Sequence, residues 1–169
     1  MKALVVYYSR TGNTRKVAEA IAAVCGGDLE EVVEVGPRRM GIVGWLRAGR
    51  DAMKKKTVAI EAPRRRPRDY DVVFVGSPVW SWALAPAVRS YLEAADIGSR
   101  PIALFCTMGG VGDSGAFASM RELVPAAKVV GELAVKEREL GDAAAFRARV
   151  AAWVNEVSGA VRAMGGRVA

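Results

Sequence analysis

The chain has 169 residues, of which 51% are hydrophobic, and a formal net charge of +7. This length and apolar content suit one domain spanning residues 1–169 with a core of its own, and no apolar run approaches the ~20 residues that cross a bilayer. The absence of histidine excludes a Ser-His or Cys-His relay, and the two cysteines, Cys25 and Cys106, are too far apart to form a C-x-x-C pair.

The chain begins with a predicted strand, a helix and a second strand. Residues 2–8 are almost entirely apolar, which is typical of a strand buried on both faces. An amphipathic helix is predicted from 13 to 25, ending at two glycines. Residues 29–35 alternate Leu or Val with Glu, which predicts an edge strand with one solvated face. No secretory signal precedes the first strand, so we expect a cytoplasmic protein.

The excess of positive charge lies in residues 36–68. This segment holds eleven Lys and Arg and two acidic residues, whereas the rest of the chain holds 14 basic and 16 acidic residues. Its pattern predicts a helix with a basic outer face over 42–53, an extended piece over 57–60 and a basic loop over 63–68. Such a segment is either a directed basic surface or a solvated face that promotes solubility.

The second half alternates strands and helices. Strands are predicted at 70–76, 101–107 and 128–135, and helices at 84–95 and 116–123. A final helix carries an apolar stripe from Phe146 to Val161. Together with the first two strands, this alternation predicts an α/β fold with right-handed crossovers and a five-stranded parallel sheet covered on both faces.

Three polar or glycine-rich loops follow strands of this sheet, at residues 9–14, 77–82 and 107–114. If the strand order is 2-1-3-4-5, these loops meet at the carboxyl edge of the sheet, at the point where the winding reverses. Ligands of such folds bind there. The order therefore predicts that all three loops contribute to one site.

The first loop has the chemistry of a phosphate site. Four hydroxyl or amide side chains surround Gly12, and the unpaired amides at the start of the following helix favour an anion. The loop lacks the Gly-Lys-Ser/Thr ending of nucleotide triphosphatases and the three glycines of the dinucleotide fingerprint. A single terminal phosphate fits this donor set. In the alternative interpretation, Asn13 or Thr14 only caps the helix.

The pattern Ser9-x-Thr11-Gly12-x-Thr14 after an N-terminal strand, together with Gly76-Ser77-Pro78-Val79-Trp80, resembles the flavodoxin family, whose members bind flavin mononucleotide (FMN). The resemblance covers essentially the whole chain and implies a flavodoxin-like three-layer sandwich. It assigns no catalytic residue and no metal ligand. The FMN-binding residues it implies are Ser9, Arg10, Thr11, Gly12, Asn13 and Thr14 for the phosphate, Ser77, Pro78, Val79, Trp80 and Ser81 for the ring and ribityl chain, and Thr107, Met108, Gly109, Gly110, Gly112 and Asp113 for the other side.

Aromatic residues near the second loop fit these roles. An indole offers a flat apolar surface for a flavin ring, and we assign this contact to Trp80 rather than Trp82. In the alternative interpretation, both are core or lid aromatics. The third loop has no aromatic residue, unlike that of many electron-carrying flavodoxins, so one flavin face is expected to be open. Hydride transfer from a nicotinamide, or reduction of a quinone, needs such a face.

The leading functional hypothesis is an FMN-binding redox protein that mediates electron transfer to a redox partner protein or a small acceptor such as a quinone. An NAD(P)H-dependent quinone or flavin reductase is the alternative. A basic binding module without flavin, for nucleic acid or an acidic partner, is a third hypothesis, although segment 36–68 lacks the interleaved aromatic residues that stack on bases. A phosphatase with Cys106 as its nucleophile is disfavoured, because its loop would need an arginine six residues later and residue 112 is Gly.

Overall fold

The computed structural model describes residues 1–36 and 57–165. The helix predicted over 42–53 therefore lies outside the described residues. The strands are β1 Ala3–Tyr7, β2 Asp28–Glu31, β3 Val72–Trp80, β4 Ala83–Leu84, β5 Pro101–Met108 and β6 Lys128–Lys136. The helices are α1 Asn13–Cys25, α2 Pro86–Ala94, α3 Asp113–Leu123 and α4 Ala143–Gly165, with short 3₁₀ turns at Pro67–Asp69 and Glu137–Gly141.

Five parallel strands form the body of the sheet, in the order β2-β1-β3-β5-β6. This is the order predicted as 2-1-3-4-5, because β4 is an additional short strand. The expected strand count of five is corrected to six by β4, which pairs antiparallel with the end of β3. The chain reverses at Ser81 and Trp82, whose φ angles are 51° and 61°. Positive φ at both central residues is the geometry of a two-residue hairpin turn.

This hairpin changes the boundaries expected around the second loop. Residues 77–80, predicted to be a loop, extend β3, and α2 begins at Pro86 instead of residue 84. The Ser77 hydroxyl accepts a hydrogen bond from the Ala85 amide at 2.9 Å and donates one to the Pro78 carbonyl at 2.8 Å. The turn is therefore closed by Ser77, and α2 starts with a proline, which needs no amide partner there.

The core lies in two layers, one on each face of the sheet. Successive strand residues point to opposite faces, so Leu4 joins the layer under α2 and α3, whereas Val5 joins the layer under α1 and α4. In the second layer, Phe74 meets Trp153 edge to face, with 5.6 Å between ring centroids. Within the sheet, the Phe105 ring lies against Gly76, where a Cβ would come within 2.1 Å of it.

Residues 57–68 run back along the outer side of β2. The Val35 amide donates to the Ala59 carbonyl at 2.9 Å, and Glu34 and Ile60 form an isolated antiparallel bridge. The extended piece predicted over 57–60 is thereby confirmed. The strand predicted over 29–35 is instead Asp28–Glu31, because residues 33–35 pair with this returning segment. Further along, Arg64 and Arg65 reach the Glu30 carboxylate.

Candidate cofactor site

The first loop forms a cradle of backbone amides. The Ser9 Oγ accepts hydrogen bonds from the amides of Gly12 at 3.1 Å and Arg15 at 3.2 Å, so its own O–H remains available to donate. Gly12 is the N-cap of α1 with φ 94°, and the side chain that caps the first turn is Ser9, whose Oγ accepts the Arg15 amide. The interpretation of Asn13 or Thr14 as a simple cap is therefore wrong. First-turn amides have no acceptor within their own helix, so they suit an anion.

A buried hydrogen bond joins the first loop to the third. The hydroxyls of Thr14 and Thr107 lie 2.8 Å apart, and the two residues are 1% and 3% exposed. Both were predicted to contact the cofactor. Their hydroxyls hold each other, so they fix the distance between the start of α1 and the end of β5.

Aromatic and cationic contacts join the first loop to the second. The rings of Tyr8 and Trp80 meet nearly at right angles, with 5.7 Å between centroids. The Arg10 guanidinium lies 5.6 Å from the centroid of the Trp80 ring. Trp80 is half-buried against the core. Tyr8 was not among the predicted site residues, although an aromatic residue directly after β1 was a signal for it.

The second and third loops touch through glycines. A Cβ on Gly112, whose φ is 115°, would lie 3.0 Å from the Trp82 Cα and 3.0 Å from Val79 Cγ1. A Cβ on Gly115 would lie 2.4 Å from the Trp82 carbonyl oxygen. Gly109 and Gly110 have open space around the Cβ position and are exposed. The second loop thus packs against Gly112 of the third loop and Gly115 of α3, and the third loop leaves room for a ligand at Gly109 and Gly110.

The structure places all the predicted site residues at one rim, but it exposes only part of them. The buried members are Ser9, Thr14, Ser77, Thr107, Met108 and Gly112. The half-buried or exposed members are Arg10, Thr11, Gly12, Asn13, Pro78, Val79, Trp80, Ser81, Gly109, Gly110 and Asp113. The accessible members can touch a ligand, as can the Ser9 O–H, whereas Thr14, Ser77 and Thr107 bond to protein atoms and Gly112 packs against the second loop. Trp82 and Gly115 belong to the same rim, and sequence reasoning did not assign them.

Ion pairing limits the positive charge near the rim. Arg15 makes two bonds to the Glu31 carboxylate, at 2.6 and 2.7 Å. Burial, and then the Glu31 charge, raise the pKa of the neighbouring Tyr7. Among residues 9–14, Arg10 is the only charged side chain.

The described arginines of the basic segment lie toward the other end of the sheet. Arg65 pairs with Asp28 and Glu30, and Arg68 pairs with Asp96. Asp28 and Glu30 are in register with Leu4 and Val6, both before the end of β1, and the ion pairs of Arg65 and Arg68 are with residues outside the phosphate loop. The remaining basic residues, at 38–56, lie outside the described residues.

Other chemistries find little support in the described part of the chain. Cys106 is fully buried, and burial together with the Asp113 and Glu132 charges raises its pKa to about 12, so it carries little thiolate. Residues 1–36 and 57–165 contain no group of three metal-binding side chains. No helix within those ranges is both long enough and apolar enough to traverse a bilayer.

The strand order defines a doubly wound α/β protein, and the three joined loops lie at its topological switch point, where ligands of such folds bind. The sequence model of the flavodoxin family matches residues 2–157, and the chain belongs to this family. No curated protein matches the chain.

Solved structures of flavoproteins share the fold. A flavoprotein from Lactobacillus acidophilus, in complex with FMN, is 24% identical, with a TM-score of 0.71, and the match covers 83% of this chain and 96% of that one. A flavodoxin from Fusobacterium nucleatum bound to FMN is 12% identical, with a TM-score of 0.62 and coverage of 94% and 97%. Oxidised flavodoxin 2 from Bacillus cereus is 18% identical, with a TM-score of 0.62 and coverage of 94% and 99%.

Proposed function

We propose that this chain binds FMN at the rim, through residues 9–14, 77–81, 107–110, 112 and 113, and transfers electrons through it. The observation that carries the proposal is the set of contacts that joins the three loops in pairs beside the start of α1. A site built in advance loses little entropy on binding. The family, and the relatives solved with FMN, point to the same ligand.

The donor set of the first loop fits a phosphate monoester. Ser9 O–H, the amides of the first turn of α1 and the Arg10 side chain supply neutral and charged donors. Trp80 supplies an apolar ring at the second loop, and Gly109 and Gly110 leave space at the third. FMN supplies the redox chemistry when bound, and the protein's task is to hold and orient it.

An NAD(P)H-dependent reductase is a second candidate within this class. The observation that favours it is the exposed, glycine-rich third loop, which carries no aromatic ring at Met108–Gly112. A ring there would cover the cofactor face that a hydride donor must approach. The flavin-free basic module is weakened because the described arginines 65, 66 and 68 are paired with acidic residues of the same chain. The cytoplasmic location stays a prediction.

Titration of the flavin-free protein with FMN and with riboflavin tests the proposed ligand. We expect FMN to bind more tightly, because riboflavin lacks the phosphate. Ser9→Ala should weaken FMN binding about tenfold, equivalent to about 1.4 kcal/mol, and affect riboflavin less. Ser99→Ala, the same change at an exposed position outside the rim, is the matched control. A chain that binds neither flavin would overturn the proposal.

Electron transfer is tested on the FMN-loaded protein. Oxidation of NAD(P)H with a quinone as acceptor would favour the reductase. Reduction by chemical reductants in two separate one-electron steps, without NAD(P)H turnover, would favour the carrier. An oligonucleotide that binds in a salt-dependent way to colourless protein would favour the basic module instead.

A further inference from the structure

Two large apolar side chains stand exposed at the rim. Trp82 is 65% exposed and Val111 is 70% exposed. They belong to different loops, but they are neighbours, because Gly112, which follows Val111, contacts the Trp82 backbone. Neither side chain contributes to the two core layers. Folding therefore does not explain their apolar character.

The backbone around Trp82 is specialised to hold it there. Ser81 and Trp82 both have positive φ, which Asn-Gly would adopt at lower cost. Gly112 and Gly115 provide the space that the Trp82 backbone occupies. Residues that the surrounding structure holds in a strained conformation are often found at ligand sites. The cost of this turn is thus a sign of a binding role for the exposed indole.

The charge of these loops limits what can bind to Trp82. Residues 77–82 and 108–112 contain no Lys, Arg, Asp or Glu, and the next charged residue is the acidic Asp113. These two loops therefore have no charged side chain of their own to pair with the phosphates of a dinucleotide, and the cation beside them, Arg10 over Trp80, belongs to the first loop. An aromatic ring and an aliphatic side chain in such surroundings suit a neutral, planar, largely apolar molecule.

We propose that Trp82 and Val111 together bind a neutral planar electron acceptor of the quinone class. We call this pair of side chains the Trp82–Val111 clamp. This inference rests on the proposed function, because the acceptor must lie beside bound FMN. With FMN bound and reduced by NAD(P)H or by a redox partner, the cofactor would supply two electrons and one proton as a hydride, and water would supply the second proton. The quinone would then leave as the hydroquinone, and FMN would be oxidised again. The clamp acts in acceptor binding, and Trp80 with the first loop acts in cofactor binding.

Equilibrium dialysis of a soluble 1,4-naphthoquinone against the oxidised, FMN-loaded protein tests the clamp directly. We expect Trp82→Ala to weaken quinone binding about tenfold and Val111→Ser to weaken it less, whereas Trp82→Phe keeps most of the affinity. Val24→Ser removes another exposed apolar side chain, on α1, and should leave quinone binding unchanged. In turnover, Trp82→Ala should raise KM for the quinone and leave reduction of ferricyanide, a small hydrophilic trianion, unchanged.

Three outcomes would overturn the clamp. Quinone binding could be unaffected in Trp82→Ala. The same variant could lose FMN affinity, which would assign Trp82 to the cofactor site. Ferricyanide and quinone reduction could fall together, which would indicate general damage. Failure of the wild-type protein to bind FMN is measured separately by flavin titration, and it would reject the proposed function itself.

Discussion

Three hydroxyl side chains at the rim are buried and bonded to protein atoms. Ser77 closes the hairpin turn, and Thr14 and Thr107 bond to each other between two loops. Hydroxyls in such positions set the shape of a site without having to touch its ligand. Ser9 differs from them, because its oxygen accepts hydrogen bonds from two backbone amides and its proton remains available to donate to a ligand.

Removing one member of the Thr14 and Thr107 pair should cost more than removing both. Thr14→Val leaves the buried Thr107 hydroxyl without its partner, and we expect the free energy of unfolding to fall by about 1–3 kcal/mol. Adding Thr107→Val removes the unpaired group and should recover part of the loss. Urea unfolding of the two single variants and the double variant measures this. Strictly additive losses would show that the hydrogen bond contributes nothing.

The sequence predicted which polar residues lie at the rim, but not which of them face outward and which bond to another loop. A run such as Ser9–Thr14 identifies an anion site through its composition, because few other uses need so many donors around a glycine. Whether one hydroxyl faces outward or bonds across the sheet depends on the distance between loops that are 93 residues apart. Local sequence contains no information on that distance. Tyr8 was missed although its aromatic side chain directly follows β1.

At the level of elements, the parallel strands and most helix boundaries were predictable from hydrophobic periodicity. α1 was predicted over its observed range, because a helix stop follows Cys25. The hairpin of β3 and β4 was not predictable. Its turn residues, Ser81 and Trp82, lack the glycine or asparagine that normally signals positive φ. The end of β2 at Glu31 was not predicted, because residues 33–35 alternate like a strand but pair with the returning segment.

Contact between β3 and β5 depends on the missing side chain of Gly76. Gly76→Ala would place a Cβ 2.1 Å from the Phe105 ring, and we expect a loss of stability of about 1–3 kcal/mol from overpacking. Gly159→Ala is the matched control, because Gly159 lies in α4 with open space around it. It should stabilise the protein by about 0.5–1 kcal/mol. Thermal unfolding compares the two variants, and equal effects would contradict the packing argument.

For the whole molecule, buried tyrosine and cysteine side chains make the free energy of unfolding sensitive to alkaline pH. Burial raises the pKa of Tyr91, and burial together with the Asp113 and Glu132 charges raises that of Cys106 to about 12. Burial and Asp28 raise the pKa of Tyr70. These folded-state values lie above those of an unfolded chain, which are about 8.5 for Cys and 10 for Tyr. The unfolded chain therefore releases its protons first as the pH rises.

We accordingly expect the stability to be complete below about pH 8 and to fall as the pH rises toward 11. Each such group contributes a slope of up to about 1.4 kcal/mol per pH unit. Urea unfolding under reducing conditions at pH 7, 8, 9, 10 and 11 measures the fall. Cys106→Ala should reduce the slope above pH 9, whereas Ser99→Ala should not. A midpoint that is constant from pH 7 to 11 would show that these groups titrate alike in both states.

The segment that returns along β2 also limits how copies of the molecule can associate. Residues 57–65 cover one margin of the sheet, because their backbone bonds to residues 33–35 and the Arg64 amide bonds to the Glu30 carboxylate of β2. In the described chain no strand pairs with the outer side of β6. Backbone pairing between two copies through β6 would use the open margin of each one and leave none for a third. Such an assembly would stop at two copies, whereas a sheet with two open margins could grow into a fibre.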